Sequence, residues 1–121
     1  MAQKILLIDD DRINLKIIQP QLVNQGFEVF LAFNGAEGLK VAVEKMPDLI
    51  VLDVEMPEMN GYTFMVNKNK DERIKSIPVI VLTSHQENQP IFQLKGVKAY
   101  LIKPIDVNRL LDRIQGVLGS I

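Results

Sequence analysis

The sequence predicts an α/β fold, a doubly wound parallel sheet with helices on both faces. Three observations predict it. Short aliphatic runs recur at 4–8, 27–31, 49–52, 77–82 and 99–102. The segments between them carry helical spacing, and the connections are only a few residues long. Strands separated by helices need crossovers, so the sheet is expected to be parallel. At 121 residues there is room for one domain with a sizeable core and not for two.

The first run, Ile5-Leu6-Leu7-Ile8, is apolar at consecutive positions, as a strand buried on both faces should be, and it stops at Asp9-Asp10-Asp11. Asp11 is suited to cap a helix. In that helix Leu15, Ile18 and Leu22 fall at i, i+3 and i+7. Pro20 lies inside the same pattern, where a missing donor and a clash with the preceding turn cost about 3 kcal/mol, so a kink or an early end is expected. Gly26 follows the helix and precedes the second strand. Asn34-Gly35 opens the second helix, where Ala36, Leu39 and Val43 repeat the apolar spacing. The third strand, Leu49-Ile50-Val51-Leu52, stops at Asp53, followed by Val-Glu-Met-Pro-Glu-Met-Asn-Gly. The fourth, Val79-Ile80-Val81-Leu82, stops at Thr83-Ser84, and the fifth, Ala99-Tyr100-Leu101-Ile102, at Lys103-Pro104. Asp106 can cap a last helix built on Leu111, Ile114 and Leu118.

Composition excludes several classes. Apolar residues make up 47% and charged residues 24%, with a net charge of -1 and scattered Lys and Arg, so no basic face for nucleic acid is evident. Without cysteine there is neither a disulfide framework nor a thiolate metal site. No apolar run approaches the roughly 20 residues needed to span a membrane. Met-Ala-Gln-Lys leads straight into a strand, which argues against a signal peptide, and a cytoplasmic domain is expected.

The chemistry gathers where the strands end. Open parallel sheets bind ligands beyond the carboxyl ends of their strands. Asp9, Asp10 and Asp53 would meet there, and clustered carboxylates repel unless a cation sits among them or one acid is used chemically. Hard oxygen donors without nearby His or Cys suit Mg²⁺. Thr83 adds a hydroxyl and Lys103 a cation, the arrangement that holds a phosphoryl group, with Asp53 as the nucleophile of an acyl phosphate. Taken singly, Asp11 reads as a helix cap, Thr83 as a strand-end hydroxyl and Lys103 as a snorkelling lysine. Four of five strands ending in suitable chemistry at one rim is what favours function.

As a set, Ile8-Asp9-Asp10, the segment from Asp53 to Gly61, Thr83-Ser84 and Lys103-Pro104 resemble the response-regulator receiver domain of two-component signalling (CheY-like), over nearly the whole chain. The resemblance implies a flavodoxin-like (βα)5 fold with strand order 2-1-3-4-5. It makes Asp53 the phosphoacceptor and Asp10 a direct Mg²⁺ ligand together with the Glu55 backbone carbonyl, Asp9 acting on the ion largely through water. Thr83 and Lys103 become the phosphoryl-contacting pair, Tyr100 the switch aromatic, and Lys103-Pro104 a cis peptide. Glu55 and His85 would flank the path of attacking water.

The chain also departs from the family pattern. Asn60 stands where Asp is common, and Ser84 where Ala or Gly is usual. The twenty positions from Thr83 to Lys103 are fewer than usual, so a short fourth helix beginning near Pro90 is expected. The function implied is a single receiver domain over residues 1–121, with no output domain. It would take a phosphoryl group from a histidine kinase or phosphotransfer protein in a Mg²⁺-dependent reaction. It would then switch the face of its fourth helix, fifth strand and fifth helix toward a protein target, with no enzymatic activity beyond its own phosphorylation and dephosphorylation. The alternatives are a degenerate receiver used as a scaffold and a haloacid-dehalogenase-like phosphohydrolase. The latter wants Asp-x-Asp where this chain has Asp53-Val54-Glu55. A flavodoxin-like cofactor binder conflicts with the acidic first loop, which would repel a flavin phosphate.

Overall fold

A computed structural model describes residues 2–56, 60–84 and 93–119. The elements run β1 (Lys4–Ile8), α1 (Arg12–Asn24), β2 (Glu28–Ala32), α2 (Gly35–Lys45), β3 (Leu49–Asp53), α3 (Gly61–Lys70), β4 (Val79–Thr83), β5 (Val97–Ile102) and α4 (Val107–Leu118). The sheet is parallel throughout, in the order β2-β1-β3-β4-β5. Both the fold class and the strand order are as expected. Helix α4 is the last helix, which the sequence places fifth. The helix expected near Pro90, and His85 with it, lie outside the described residues.

Period-two alternation divides the strands between two cores. Leu6, Ile8, Ile50, Leu52, Val79 and Val81 face α2 and α3, where Ala42, Phe64 and Met65 meet them. Ile5, Leu7, Leu49, Val51, Ile80 and Leu82 face α1 and α4, meeting Leu15, Ile18, Leu22, Leu110 and Ile114. Strands β3 and β4 are buried at every position, which is why both read as unbroken apolar runs.

Helix starts at Asp11, Asn34 and Asp106 follow the capping chemistry read from sequence, and Asn60 adds a cap the sequence reading did not name. Asp11 accepts from the N–H of Ile13 at 2.9 Å, Asn34 from Glu37 at 2.8 Å, Asn60 from Thr63 at 3.0 Å and Asp106 from Asn108 at 2.9 Å. Two expectations need correction. Of the kink or early end expected at Pro20, the early end does not occur: helix α1 runs through it to Asn24. Pro20 lies on the exposed side, where water can satisfy the carbonyl one turn back. In α2 the stripe of Ala36, Leu39 and Val43 is buried only in part: Leu39 and Val43 are half-buried and pack against the core. Ala36 is exposed, and Gly35, Gly38 and Ala42 face the sheet. Small residues serve there because the helix lies close: a Cβ on Gly38 would come within 2.5 Å of Ile8 Cδ1.

Gly61 is tighter in kind. A Cβ there would sit 2.6 Å from the Cα of Val54, which is backbone and cannot swing aside as a side-chain tip can. Alanine in a helix gains up to about 1 kcal/mol over glycine, while overpacking costs about 1–3 kcal/mol. Gly61→Ala is therefore expected to lose about 1–3 kcal/mol in urea unfolding, and Gly38→Ala distinctly less. Equal losses would show that the backbone contact at Val54 is not the limiting one.

Candidate functional site

The middle of the sheet ends level. Ile8 pairs with Leu52, Asp53 with Leu82, and Thr83 with Ile102. This register delivers Asp9, Asp53, Thr83 and Lys103 to one rim, as the strand-end reading required. Asp9, Asp53 and Thr83 are all buried, at 2%, 1% and 0% exposure. Asp10 is exposed beside them.

A buried carboxylate must be compensated. Asp53 accepts the Glu55 N–H on Oδ1 at 2.9 Å, and its Oδ2 pairs with the Lys103 ammonium at 3.0 Å. Lys103 is fixed from behind as well, its own N–H donating to the Thr83 carbonyl at 2.8 Å. The Lys103-Pro104 peptide is cis, as the resemblance implied. Asp9 is less well served. It accepts the Asp11 N–H at 2.9 Å and the Asn14 amide at 3.4 Å.

The electrostatics follow from that inequality. Burial first, then the hydrogen bond and the charge of Asp53, push the Asp9 carboxyl up to about 7, against the opposing pull of the Asp11 N–H and Lys103. Burial alone would lower the Lys103 ammonium. The hydrogen bond to Asp53 and the charges of Asp53, Asp9 and Glu55 outweigh it and hold Lys103 above its ordinary value. Among the described residues, Lys103 is the cation that meets these acids. Asp9, Asp10 and Asp53 each offer a carboxylate oxygen, all within 4.8 Å of one another. Three hard oxygen donors, one kept from ionising freely by its neighbours, fit a divalent cation of the Mg²⁺ kind.

Sequence reasoning missed what the Glu55 side chain does. Its carboxylate reaches across to the end of β4. It accepts the Thr83 hydroxyl at 3.3 Å and both the backbone N–H and the hydroxyl of Ser84. The available signal was positional: Glu55 and Ser84 lie just past strand-end residues of neighbouring strands. Also unforeseen is the apolar surface beside the rim. Ile13 is 70% and Ile17 51% exposed on α1, and Ile17 lines a groove with Lys103, Pro104 and Ile105. Tyr100 stands on β5, 44% exposed, in a groove shared with Lys98, Arg109 and Arg113.

Asp9 supplies a pH prediction. Its folded pKa is raised, so the folded state holds the proton more tightly than the unfolded one. That stability is complete below about pH 4, the unfolded value, and is lost as pH rises toward about 7. In metal-free buffer, Asp9→Asn should gain on wild type by a few kcal/mol across this window and hold a constant advantage above it. Parallel stability curves for the two proteins would show that Asp9 ionises without penalty.

Among the described residues no helix is long and apolar enough to cross a membrane. The profile of the response regulator receiver domain matches residues 5–115. The polar-differentiation response regulator DivK of Brucella anthropi is 31% identical over 99% of both chains. A probable transcriptional regulator of Pyropia yezoensis, ycf29, is 37% identical over 98% of this chain, which spans only 54% of that relative's length. In structure, the chemotaxis protein CheY4 of Vibrio cholerae overlays with a TM-score of 0.89 at 29% identity, over 97% of this chain and 99% of that one. The receiver domain of the sensor histidine kinase PA1611 from Pseudomonas aeruginosa overlays with a TM-score of 0.89 at 28% identity, over 99% of this chain and 100% of its own, and holds a magnesium ion in its active-site cleft. A match that runs from β1 into α4, joined to a fold shared over whole chains, makes this protein a member of the response regulator receiver domain family of two-component signalling.

Proposed function

We propose that residues 1–121 form one receiver domain that accepts a phosphoryl group on Asp53, from a histidine kinase or phosphotransfer protein, and passes the signal on by binding a protein target. The observation that carries this reading is the buried Asp53 carboxylate held 3.0 Å from the Lys103 ammonium among two further acids. A merely structural acid would be compensated by Lys103 alone and would gain nothing from the two further acids beside it.

In the reaction an Asp53 carboxylate oxygen attacks the phosphorus of a phosphohistidine. The P–N bond breaks, the imidazole leaves with the bonding pair, and an acyl phosphate forms on Asp53. Lys103 balances charge on the transferred oxygens, and the Thr83 hydroxyl donates to one of them. Asp9, Asp10 and Asp53, with the Glu55 backbone carbonyl, would hold Mg²⁺, which when bound supplies positive charge opposite the phosphoryl oxygens. Attack of water on phosphorus later breaks the bond to the Asp53 oxygen, which leaves with the electron pair as the carboxylate, and releases inorganic phosphate. The domain's chemistry is confined to its own aspartate, so it is a signalling module rather than a turnover enzyme. A donor protein approaching Asp53 meets the exposed Ile13 and Ile17, whose apolar surface suits a protein contact better than a small-molecule one.

The response runs through Thr83 and Tyr100. A phosphoryl oxygen that draws in the Thr83 hydroxyl vacates space beside β5, and Tyr100, amphipathic and now 44% exposed, turns inward. The target is expected to read the face of β5 and α4.

Treatment with acetyl phosphate and Mg²⁺ should add the mass of one phosphoryl group to wild type and none to a folded Asp53→Asn variant. Uptake by Asp53→Asn would overturn the site. Asp10→Ala should weaken Mg²⁺ binding at least about tenfold, the scale of one lost charged ligand, in a titration of the unphosphorylated protein; equal affinities would remove Asp10 from the ligand set. Structures with Mg²⁺, with and without beryllofluoride, should differ at Thr83 and Tyr100, and identical positions would dispose of the switch.

A further inference from the structure

We propose that the Glu55 carboxylate, clasped by Ser84, is a resident stand-in for the phosphoryl group, and that phosphate uptake from small donors waits on its release. The inference rests on the phosphoacceptor reading of Asp53 and goes beyond it by naming the residue that controls access.

The argument is one of occupied donors. At the end of β4 the described residues offer the Thr83 hydroxyl, the Ser84 N–H and the Ser84 hydroxyl. All three point to the Glu55 carboxylate, Oε1 taking the first two and Oε2 the third. A planar anion with two oxygens on these groups satisfies the same donors that an incoming phosphoryl group needs. Glu55 reaches them because its own N–H is turned back to Asp53 Oδ1 at 2.9 Å. That bond pins the backbone two residues past the phosphoacceptor and leaves the side chain facing β4 across a parallel pair in which Asp53 registers with Leu82. The Ser84 hydroxyl belongs to this chain's own sequence, at a position where the resemblance leads one to expect Ala or Gly. It is the third donor that turns a contact into a clasp.

The consequence is selective. When acetyl phosphate reacts, Asp53 attacks phosphorus, the bond to the acetyl oxygen breaks, and acetate leaves with the electron pair. The new phosphoryl oxygens reach Thr83 and Ser84 only if the Glu55 oxygens let go. A small donor brings no other contacts to offset that loss, whereas a protein docking on the rim does.

Simple repulsion by the Glu55 charge predicts something different, and Ser84→Ala separates the two. That variant keeps the charge and the Ser84 N–H but removes one arm of the clasp. Rates of phosphorylation by acetyl phosphate with Mg²⁺ should rise roughly three- to tenfold in Ser84→Ala, the scale of one net side-chain hydrogen bond. They should rise at least as much in Glu55→Gln and Glu55→Ala, and the double variant Glu55→Ala/Ser84→Ala should be no faster than Glu55→Ala. Thermal melts establish that each variant is folded. An unchanged rate in Ser84→Ala, or multiplicative effects in the double variant, would overturn the clasp and leave charge alone.

A second measurement needs no phosphorylation. The Ser84 amide proton of the unphosphorylated protein should resonate downfield, as a carboxylate-bonded N–H does, and move upfield in Glu55→Ala. A Ser84 resonance indifferent to Glu55 would refute the clasp outright. If the resonance moves but wild type accepts no phosphate on Asp53, it is the phosphoacceptor reading that fails and not the contact.

Discussion

Everything at the rim depends on one buried charge. Strand β3 is enclosed at every position, so the acid that ends it emerges into protein rather than water, at 1% exposure. Isolated, a carboxylate there would be prohibitive or would simply take up a proton. The Lys103 ammonium at 3.0 Å and the Glu55 N–H at 2.9 Å provide compensation. Asp9, nearly as buried, has no lysine in direct contact and is pushed up to about 7. The pocket is therefore balanced for Asp53 and unbalanced for its neighbour. That imbalance is what a divalent cation among the three acids would relieve.

Such a pocket demands a rigid frame, and the frame is the parallel ladder. A slip of one residue in any central strand would turn its acid or hydroxyl to the wrong face. The register is held by cores on both sides of the sheet, and by close approaches at small residues, Gly38 over the Ile8 side chain and Gly61 over the Val54 backbone. The last brace lies at the rim itself, where the Lys103 N–H bonds the Thr83 carbonyl at 2.8 Å. The two residues proposed to contact the phosphoryl group are thus tied through backbone as well as through the pocket.

Much of this was legible in the sequence, for identifiable reasons. Runs such as Leu49 to Leu52 are apolar because both faces are covered, and the caps Asp11, Asn34 and Asp106 follow from hydrogen bonds that helix starts require. What escaped was whatever depends on distance across the fold. Nothing local says that α2 lies so close to the sheet that Gly38 must replace a larger residue in its buried stripe. Lys68 stands in an Asn-Lys-Asn-Lys run that reads as solvated, yet it is fully buried, its ammonium donating to the Lys75 carbonyl at 2.9 Å and lowered by burial to about 8. The Glu55 side chain belongs with these. Its partner lies 29 positions away, and only the β3–β4 pairing brings them together.

That contact changes how the signal must be counted. A ligand moves an equilibrium only by the difference in its interactions with the two states. Were the donors past β4 bare before phosphorylation, their new bonds to the phosphoryl oxygens would all count toward switching. With Glu55 already on Thr83 and Ser84, most of those bonds are exchanged and not created. What remains to drive the change is the difference between two anions. A phosphoryl group is tethered to Asp53, carries an additional oxygen and more charge, and lies where Lys103 can reach it. Glu55 is tethered two residues further on, and its carboxylate lies against Thr83 and Ser84. On the phosphoacceptor reading proposed above, phosphorylation would hand the Thr83 hydroxyl from the Glu55 carboxylate to an oxygen held on Asp53. Such a transfer is the displacement that the proposed inward turn of the exposed Tyr100 would need.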